Sequence, residues 1–386
     1  MKNNLKNVKE VAERIKEAVQ KKERIIVYGD SDMDGIASTV LLTEAIKNIG
    51  GAVHAVAFPD RENDGYGINL RALEFLKHEA PALFITLDLG IGNVKEVKIA
   101  NELGFEVIIV DHHEILESLP EASIIIDPKQ PGDESGLTHL ANVGVTFKLC
   151  EELLGDAFSA QLKNSFYELA ALATISDMVP QIGDNKMFIE KGLRSLKNTF
   201  RPGLRVFLDI LGEGDIASGG YFKIISALNA AESVEFKNQG FELLIEPSSK
   251  KCWDLAEMLI GKVNYKQQKI KEITEEISRR ISQKKDDIII FEGDPAWKLT
   301  LAGPVASIVA QRYEKPTFIY KKMDTESCGS VRSLKEGENS VDAMKSCADI
   351  LITYGGHPKA SGFRLKNENL EEFKKRLSEY FKNLKT

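Results

Sequence analysis

The alternation of apolar and polar positions predicts two α/β regions joined by a largely helical stretch. Between residue 24 and about 127, short apolar runs at 25–27, 84–87, 107–110 and 124–126 alternate with segments whose apolar residues recur at helical spacing. That alternation is typical of βαβ units, and the apolar runs are short enough to be buried strands. We therefore expect an α/β fold built on a doubly wound parallel sheet.

From residue 140 to about 259 the strand signals fade, and helical patterns at 158–174 and 186–196 predict a helical extension, interrupted by a turn at Arg201-Pro202-Gly203. At 262–284 a single apolar stripe on a charged surface predicts a connector helix of ~35 Å at ~1.5 Å per residue. The alternative to a connector is a helix that lies on the surface of one domain and is exposed to solvent. Strand and helix patterns then resume up to 370–384. The predicted domains are 1–261, 262–284 and 285–386, the last a smaller α/β domain.

Composition narrows the class of protein. The chain has 386 residues, of which 43% are hydrophobic, so it can bury a sizeable core. No apolar run approaches the ~18 residues of a membrane helix, and the N-terminus has a charged helical pattern rather than that of a signal peptide, so we expect a cytoplasmic location. The four cysteines form no CxxC pair, which argues against zinc or a disulfide framework. A net charge of -7 argues against a protein that coats DNA through lysine and arginine.

Acidic side chains follow four of the predicted strands. The hexapeptide DSDMDG contributes three carboxylates, and the later strands end at Asp88, at Asp111-His112-His113 and at Asp127. If these strands are parallel neighbours, their carboxyl ends lie at one edge of the sheet, where ligands bind in open α/β sheets. So many carboxylates would repel one another unless cations neutralised them. The pattern therefore predicts a divalent metal site.

Two better-known motifs match these segments only in part. The segment D-x-D-x-D-G also opens an EF-hand loop, but the twelfth position here is Leu41 rather than glutamate, and a β-branched strand precedes it. The sequence Gly90-Ile91-Gly92 lacks the third glycine of a dinucleotide motif, and no P-loop lysine follows a glycine run. A lone aspartate is usually a helix cap or a turn residue. Six acids and two histidines at successive strand ends argue against a capping role for the whole set.

Eight blocks of sequence resemble the DHH phosphoesterase superfamily and, within it, the RecJ single-strand exonucleases. In order they are VYGDSDMDGI, PDRENDGYGINL, ITLDLGI, VIIVDHHE, LANVGVTFKL, ISDMVPQIGDN, GSVRS and GGHPKASGF, and they span nearly the whole chain. The last two resemble the DHH-associated C-terminal domain, which in this superfamily closes over the metal site and holds substrate. Many RecJ proteins carry a further OB domain, for which these blocks leave no room, so we expect a short form without it.

The resemblance implies a centre of two divalent cations, Mn²⁺ or Mg²⁺, which suit oxygen ligands with one or two imidazoles. In that scheme Asp88 bridges the two ions and His113 faces the phosphate, while Asp111 orients an imidazole and Asp127 is structural. The implied metal ligands are Asp30 and Asp32 for one ion, Asp34, His112 and Asp177 for the other, and Asp88 for both.

For substrate binding the resemblance implies Arg332 and the loop Gly355, Gly356 and His357, since glycines let the backbone approach a phosphate and arginine supplies a bidentate donor. Arg61 receives little weight, because surface arginines are common. One stretch departs from the family. RecJ enzymes usually read approximately PRLNAAGR where residues 226–233 here read SALNAAES, so both arginines are absent. We therefore expect weak recognition of a terminal phosphate.

The predicted function is a metal-dependent phosphodiesterase that hydrolyses single-stranded nucleic acid from an end, with DNA as the expected substrate and a water activated by the two ions. One alternative is a DHH phosphoesterase acting on short oligonucleotides or nucleotide phosphates. Another is a scaffold protein of replication or repair without catalysis.

Overall fold

The computed structural model describes residues 4–115, 118–212, 219–283, 287–335 and 337–384, without the side chain of His357. The chain divides into two compact units, Met1–Val263 and Asn264–Thr386. Within the described ranges no helix combines the length and the apolar composition needed to cross a membrane.

The first unit contains a five-stranded parallel sheet in the order β2-β1-β3-β4-β5. Its strands are β1 (Ile25–Gly29), β2 (Ala55–Ala57), β3 (Ala82–Leu87), β4 (Phe105–Val110) and β5 (Ile124–Ile126). The four predicted strands are confirmed as neighbours, and their continuous apolar runs are those of strands buried on both faces. Strand β2 was not predicted, because the apolar run of this three-residue edge strand is too short to be recognised.

Helices cover both faces of this sheet, which confirms the doubly wound fold. Alternate residues of β1 belong to different cores, with Ile25 and Val27 in one and Ile26 and Tyr28 in the other, because successive side chains of a strand point to opposite faces. The helices around the sheet are α1 (Val8–Lys21), α2 (Met33–Asn48), α3 (Leu70–Leu76) and α4 (Val94–Glu102).

The helical extension follows as predicted, with one difference. Its elements are α5 (Asn142–Leu154), α6 (Ala160–Ser176), α7 (Gly183–Leu196), α8 (Pro202–Leu211), α9 (Tyr221–Leu228), the hairpin β6 (Ser233–Val234) and β7 (Lys237–Asn238), and α10 (Gln239–Ile245). The turn predicted at 201–203 is instead the start of α8. Pro202 occupies the first helical position, where its missing N–H costs nothing and its φ suits the helix.

The predicted connector is part of a longer helix, α11 (Ser249–Ser282), of 34 residues. It begins earlier than predicted because Cys252, Ala256 and Leu259 continue its apolar stripe into the core of the first unit. Ile273 and Ile277 are buried in a core of the second unit, so the solvated surface helix is wrong. Lys284, its predicted end, lies outside the described residues.

The second unit has a mixed sheet in the order β11-β12-β10-β9-β8, in which only β8 and β9 are parallel among the described strands. After α11, the strands and helices of this unit are β8 (Ile290–Asp294), α12 (Leu299–Tyr313), β9 (Thr317–Lys322), β10 (Glu326–Arg332), α13 (Ser340–Lys345), β11 (Leu351–His357), β12 (Ala360–Lys366) and α14 (Leu370–Asn383). Alternate strand residues again enter two different cores, as Ile290 and Phe291 do. This is the smaller α/β domain that the sequence predicted.

Candidate metal centre

Three aspartates lie side by side where the central strands of the first sheet end. Asp30, Asp88 and Asp111 directly follow β1, β3 and β4. Their backbone N–H groups continue the ladder, since that of Asp30 donates to the carbonyl of Leu87 at 3.1 Å and that of Asp88 to the carbonyl of Val110 at 3.0 Å. The strand order reverses between β1 and β3, the place where open α/β sheets form a crevice for ligands.

The start of α2 brings in two more carboxylates. Asp32 caps the helix by accepting the N–H groups of Asp34 and Gly35, both at 3.0 Å. Asp34 is buried in the first turn, and its two oxygens accept the backbone N–H groups of Asn142 at 2.7 Å and Val143 at 2.8 Å. These last donors stand at the N-terminus of α5, where the helix dipole favours a negative charge. The capping pattern therefore holds both acids at the edge of the sheet.

The side chains at this edge approach one another closely enough to share metal ions. In each of three groups the possible ligand atoms lie within 4.8 Å of one another. The groups are Asp30 with Asp32 and Asp88, Asp34 with His112 and Asp177, and Asp88 with His112 and His113. The first two groups bring together the six residues that the family resemblance implied as metal ligands, and their division between two ions stays a prediction.

His112 presents a neutral nitrogen to these carboxylates. Its Nδ1 lies 2.9 Å from the carbonyl of Leu140, an acceptor, so Nδ1 carries the proton. Its Nε2 then directs a lone pair towards Asp88 Oδ1 at 3.3 Å and Asp177 Oδ2 at 3.7 Å. Burial, together with the nearby charge of His113, lowers the pKa of His112 to about 3. His112 therefore supplies a metal-ligand nitrogen rather than a compensating positive charge.

The raised pKa values of the other carboxylates and their unpartnered atoms indicate that a cation would stabilise this site. Burial and the neighbouring carboxylates hold the pKa of Asp34 and that of Asp88 well above the usual range, and raise that of Asp177 to about 7. Asp88 Oδ1, His112 Nε2 and Asp177 Oδ2 are buried and have no hydrogen-bond partner among the described residues. Buried polar atoms without partners are costly. Oxygen and imidazole donors in this arrangement fit Mn²⁺ or Mg²⁺.

Asn142 is a site residue that the sequence pattern did not reveal. Asp88 has φ 65°, in the left-handed region, which a non-glycine residue adopts at a cost of about 1–3 kcal/mol unless its surroundings enforce it. In the amide orientation that satisfies its neighbours, Asn142 accepts the N–H of Asp88 at 2.8 Å and donates to the carbonyl of Val110 at 3.0 Å. Its position in the LANVGVTFKL block could have indicated a role at the site. An asparagine by itself does not predict one, because it is not a typical ligand in the metal-site patterns considered.

Arg61, which received little weight on sequence alone, contacts the acidic pair directly. Its Nε donates to Asp30 Oδ1 at 2.9 Å and its Nη2 to Asp32 Oδ2 at 2.9 Å. The guanidinium also lies 4.8 Å from the ring centre of Tyr66. Burial alone would raise the pKa of Asp32, but the charge and hydrogen bond of Arg61, together with the N–H of Gly35, lower that pKa to about 2. The guanidinium thus neutralises part of the charge at this edge.

Asp111 orients His113, as the resemblance implied. Its Oδ1 lies 2.7 Å from His113 Nδ1 and also accepts the backbone N–H of His112 at 2.7 Å, while its Oδ2 accepts that of Ile91 at 3.0 Å. Burial alone would lower the pKa of His113, but the Asp111 carboxylate raises it to about 9. The His113 side chain is 48% exposed. It therefore presents a positively charged imidazole to solvent beside the buried acids.

The other candidates lie outside these groups. Asp127 is fully buried, accepts the N–H of Lys129 at 2.8 Å and is in none of the three groups, so its structural role stays a prediction. Arg332 and the glycine loop belong to the second unit. Gly356 has φ 124°, and a Cβ there would approach the carbonyl oxygen of Ala360 to 2.7 Å, so the hairpin needs glycine. The side chain of His357 lies outside the described residues.

Comparison with known proteins gives matches along both units. The N-terminal domain of the DHH family matches residues 24–174, and the DHHA1 domain matches residues 285–383. The chain is similar to the single-stranded-DNA-specific exonuclease RecJ of Bacillus subtilis, with 36% identity over 99% of the chain and 48% of that protein. It is 29% identical to the protein of the same name from Thermus thermophilus, over 97% of the chain and 54% of the relative. The chain thus spans about half the length of these curated relatives.

A solved structure of exonuclease RecJ bound to manganese superposes with a TM-score of 0.79 at 28% identity. The match covers 98% of this chain and 95% of that one. Both sheets and the helices around them therefore have counterparts in a protein crystallised with a divalent metal.

Proposed function

The chain belongs to the DHH family, with the family's N-terminal domain followed by a DHHA1 domain, and from this premise we propose that it is a metal-dependent phosphodiesterase that removes nucleotides from an end of single-stranded DNA. The observation that carries the proposal is the convergence of unpartnered buried ligand atoms of Asp88, His112 and Asp177 at the edge of the sheet. The curated relatives named as RecJ exonucleases support the substrate. We propose a cytoplasmic location for this activity.

The residues that would hold two divalent cations are those of the first two groups, and Asp88 of the first would also serve the second, since its Oδ1 lies 3.3 Å from the Nε2 of His112. Such ions supply a Lewis acid for the phosphate and an acidified water as nucleophile. Asp34 would be held in place by the α5 N–H groups, and His112 by the carbonyl of Leu140.

His113 would act on the substrate rather than on the metals. Its Nδ1 is held by Asp111, so the Nε2–H of the charged ring is the donor left for a phosphate oxygen or for the departing oxygen. A positioned acid of this kind typically contributes roughly 10²–10⁴-fold to a rate. We further propose that residues 285–386 bind the substrate through Arg332, Gly355, Gly356 and His357, with 1–261 as the catalytic domain and 262–284 as the connector.

A second candidate is a phosphoesterase for short oligonucleotides or nucleotide phosphates. The observation that favours it is the stretch 226–233, where the positions expected to carry arginines hold Ala227 and Ser233, both buried. The third candidate, a scaffold without catalysis, fits less well, because a scaffold has no use for unpartnered acids that destabilise its fold.

The proposal is tested by comparing three substrates in the presence of Mn²⁺: long single strands, oligomers of a few nucleotides, and nucleotide phosphates. Progressive shortening of the long strand at the highest kcat/KM supports the exonuclease. A preference for the short oligomers would favour the second candidate. Absence of hydrolysis on all three, with Mn²⁺ binding intact, would contradict both.

Arg61→Ala is expected to make the metal-free protein less stable and its stability more dependent on metal. Removing the guanidinium leaves Asp30 and Asp32 without their cation, at a cost of roughly 2 kcal/mol, between the values for surface and buried ion pairs. Mn²⁺ between the same carboxylates would offset that loss. Thermal unfolding in EDTA and in Mn²⁺ should therefore show a larger metal-induced rise in Tm for the variant than for the wild type.

The matched control for that experiment is Arg71→Ala, which removes a more exposed arginine that pairs with Asp64 at 3.1 Å. It should leave the metal-induced rise in Tm unchanged. Equal rises in the wild type and in Arg61→Ala would show that the metal does not use the carboxylates that Arg61 contacts.

Discrimination between 5′-phosphorylated and 5′-hydroxyl single strands is expected to be weak, below about tenfold in kcat/KM. Lys262, a cation that contacts the 226–233 stretch, is already engaged, because its Nζ pairs with Glu232 and donates to Gln239 at 2.8 Å. A steady-state comparison of the two strands measures this. A preference of about a hundredfold, worth ~2.7 kcal/mol, would mean that other groups such as Arg61 or a lysine of α11 bind the terminal phosphate.

A further inference from the structure

Helix α12 of the second unit contains a glycine that helix formation alone does not explain. Gly303 stands inside the helix and is followed by Pro304, so two of the poorest helix formers are adjacent there. Glycine is retained inside a helix where something approaches its backbone closely. A close neighbour over Gly303 is therefore expected.

The neighbour is the side chain of Arg332, at the end of β10. A Cβ placed on Gly303 would lie 3.2 Å from the Nη2 of Arg332 and 3.6 Å from the hydroxyl of Ser330. The first distance is tighter than ordinary van der Waals contact, so an added methyl group would displace the guanidinium by a few tenths of an ångström. Gly261, also within a helix, offers a contrast, because a Cβ there would meet nothing within 4 Å.

One turn further along α12, Ser307 holds the same guanidinium by a hydrogen bond. Its Oγ accepts from Arg332 Nε at 3.0 Å and donates to the carbonyl of Gly303 at 3.1 Å. The Nη1 of Arg332 donates to the carbonyl of Val331 at 2.8 Å. Ser307 and the side-chain-free backbone of Gly303 therefore both lie along the Nε/Nη2 edge of the guanidinium, and together they set its plane against α12.

We propose that Gly303 and Ser307 are positioning residues that orient Arg332 towards a phosphate group of the substrate. The inference rests on the proposed function, which assigns Arg332 to substrate binding. A planar guanidinium binds phosphate best with two parallel N–H donors, so its orientation decides the strength of the contact. Glycine at 303 lowers the stability of the helix but leaves room for this orientation of Arg332.

The test uses the full chain with Gly303→Ala. Because alanine is the better helix former, Tm should stay equal or rise. The KM for a single strand should rise about tenfold while kcat changes less than about twofold, since a charge-assisted hydrogen bond to phosphate is weakened. A residue with a purely structural role would not combine an unchanged or higher Tm with weaker binding.

Three companion variants make the result specific. Gly261→Ala adds the same methyl group to a helix without a neighbour and should leave KM unchanged. Ser307→Ala should raise KM. Ser307→Thr, which keeps the hydroxyl, should leave KM close to the wild-type value. In an Arg332→Ala background, Gly303→Ala should have no further effect, because the group that it displaces is gone.

A measurement without catalysis separates this inference from the proposed function. Inorganic phosphate should shift the Nε–Hε NMR resonance of Arg332 in the wild type, and at least about threefold higher phosphate should be needed in Gly303→Ala. Failure of the wild type to hydrolyse any nucleic acid would contradict the proposed function but not this titration. Equal phosphate affinities in the two proteins, or a further rise in KM in the Arg332→Ala background, would overturn the positioning role.

Discussion

Asp88→Asn is expected to abolish hydrolysis, with a loss of kcat/KM on the order of 10³-fold or more, equivalent to at least about 4 kcal/mol of transition-state stabilisation. Asparagine is nearly isosteric and tolerates the left-handed backbone that Asp88 adopts, so the fold should be kept. What is lost is a charge that would serve both ions, because Asp88 is grouped with Asp30 and Asp32 and its Oδ1 lies 3.3 Å from the Nε2 of His112 in the other group. Mn²⁺ titration and steady-state rates on a single strand measure the effect.

The stability of the same variant should change in the opposite direction. Burial raises the pKa of Asp88, and the charges of Asp34 and Asp32 raise it further, so in the absence of metal these acids disfavour one another's charged form. Removing one charge should raise the Tm of the metal-free protein and reduce the further rise on adding Mn²⁺. Asp127→Asn is the matched control, since Asp127 is also buried at the end of a strand of the same sheet and should keep full activity. Wild-type turnover by Asp88→Asn would rule out the shared-carboxylate scheme.

His113→Ala is expected to lower kcat by about 10²–10⁴-fold while leaving metal affinity nearly unchanged. His112→Ala should lower both, because the Nε2 of His112 faces Asp88 and Asp177 whereas His113 is bound to Asp111 through Nδ1. The pair is compared by Mn²⁺ titration monitored by EPR and by single-turnover rates. Equal losses of metal binding in the two variants would contradict this division of roles.

The pH dependence of His113 provides an independent check in the metal-free protein. Its pKa is raised to about 9, so the ring is charged below that pH and neutral above it. The contact with Asp111 therefore stabilises the fold fully below the ordinary histidine value of about 6.5, and this contribution is lost as the pH rises through about 9. NMR titration of the His113 ring should show the raised pKa, and Asp111→Asn should lower it. An ordinary value in the wild type would contradict the ion pair.

Much of the sheet and of the acidic edge could be predicted because the information is local. Buried parallel strands are continuous apolar runs, and an aspartate directly after such a run must lie at the end of the strand. Because the four runs were recognised as strands of successive βαβ units, the acids that follow them were expected at one edge of the sheet. The start of α11 was missed because its first turns pack Cys252, Ala256 and Leu259 into the core of the first unit, so their apolar pattern was assigned to the helical extension.

The contacts that complete the centre come from residues distant in sequence. Arg61 leaves a loop to pair with Asp30 and Asp32, and Asn142, from the first turn of α5, holds the strained backbone of Asp88. Neither residue type has a periodicity or spacing that points to a partner, because such contacts depend on where packing brings two segments together. By itself the sequence determined which strands form and which acids end them. The tertiary structure alone decided which cation and which amide meet those acids, because only the packed chain brings these distant side chains within hydrogen-bond reach.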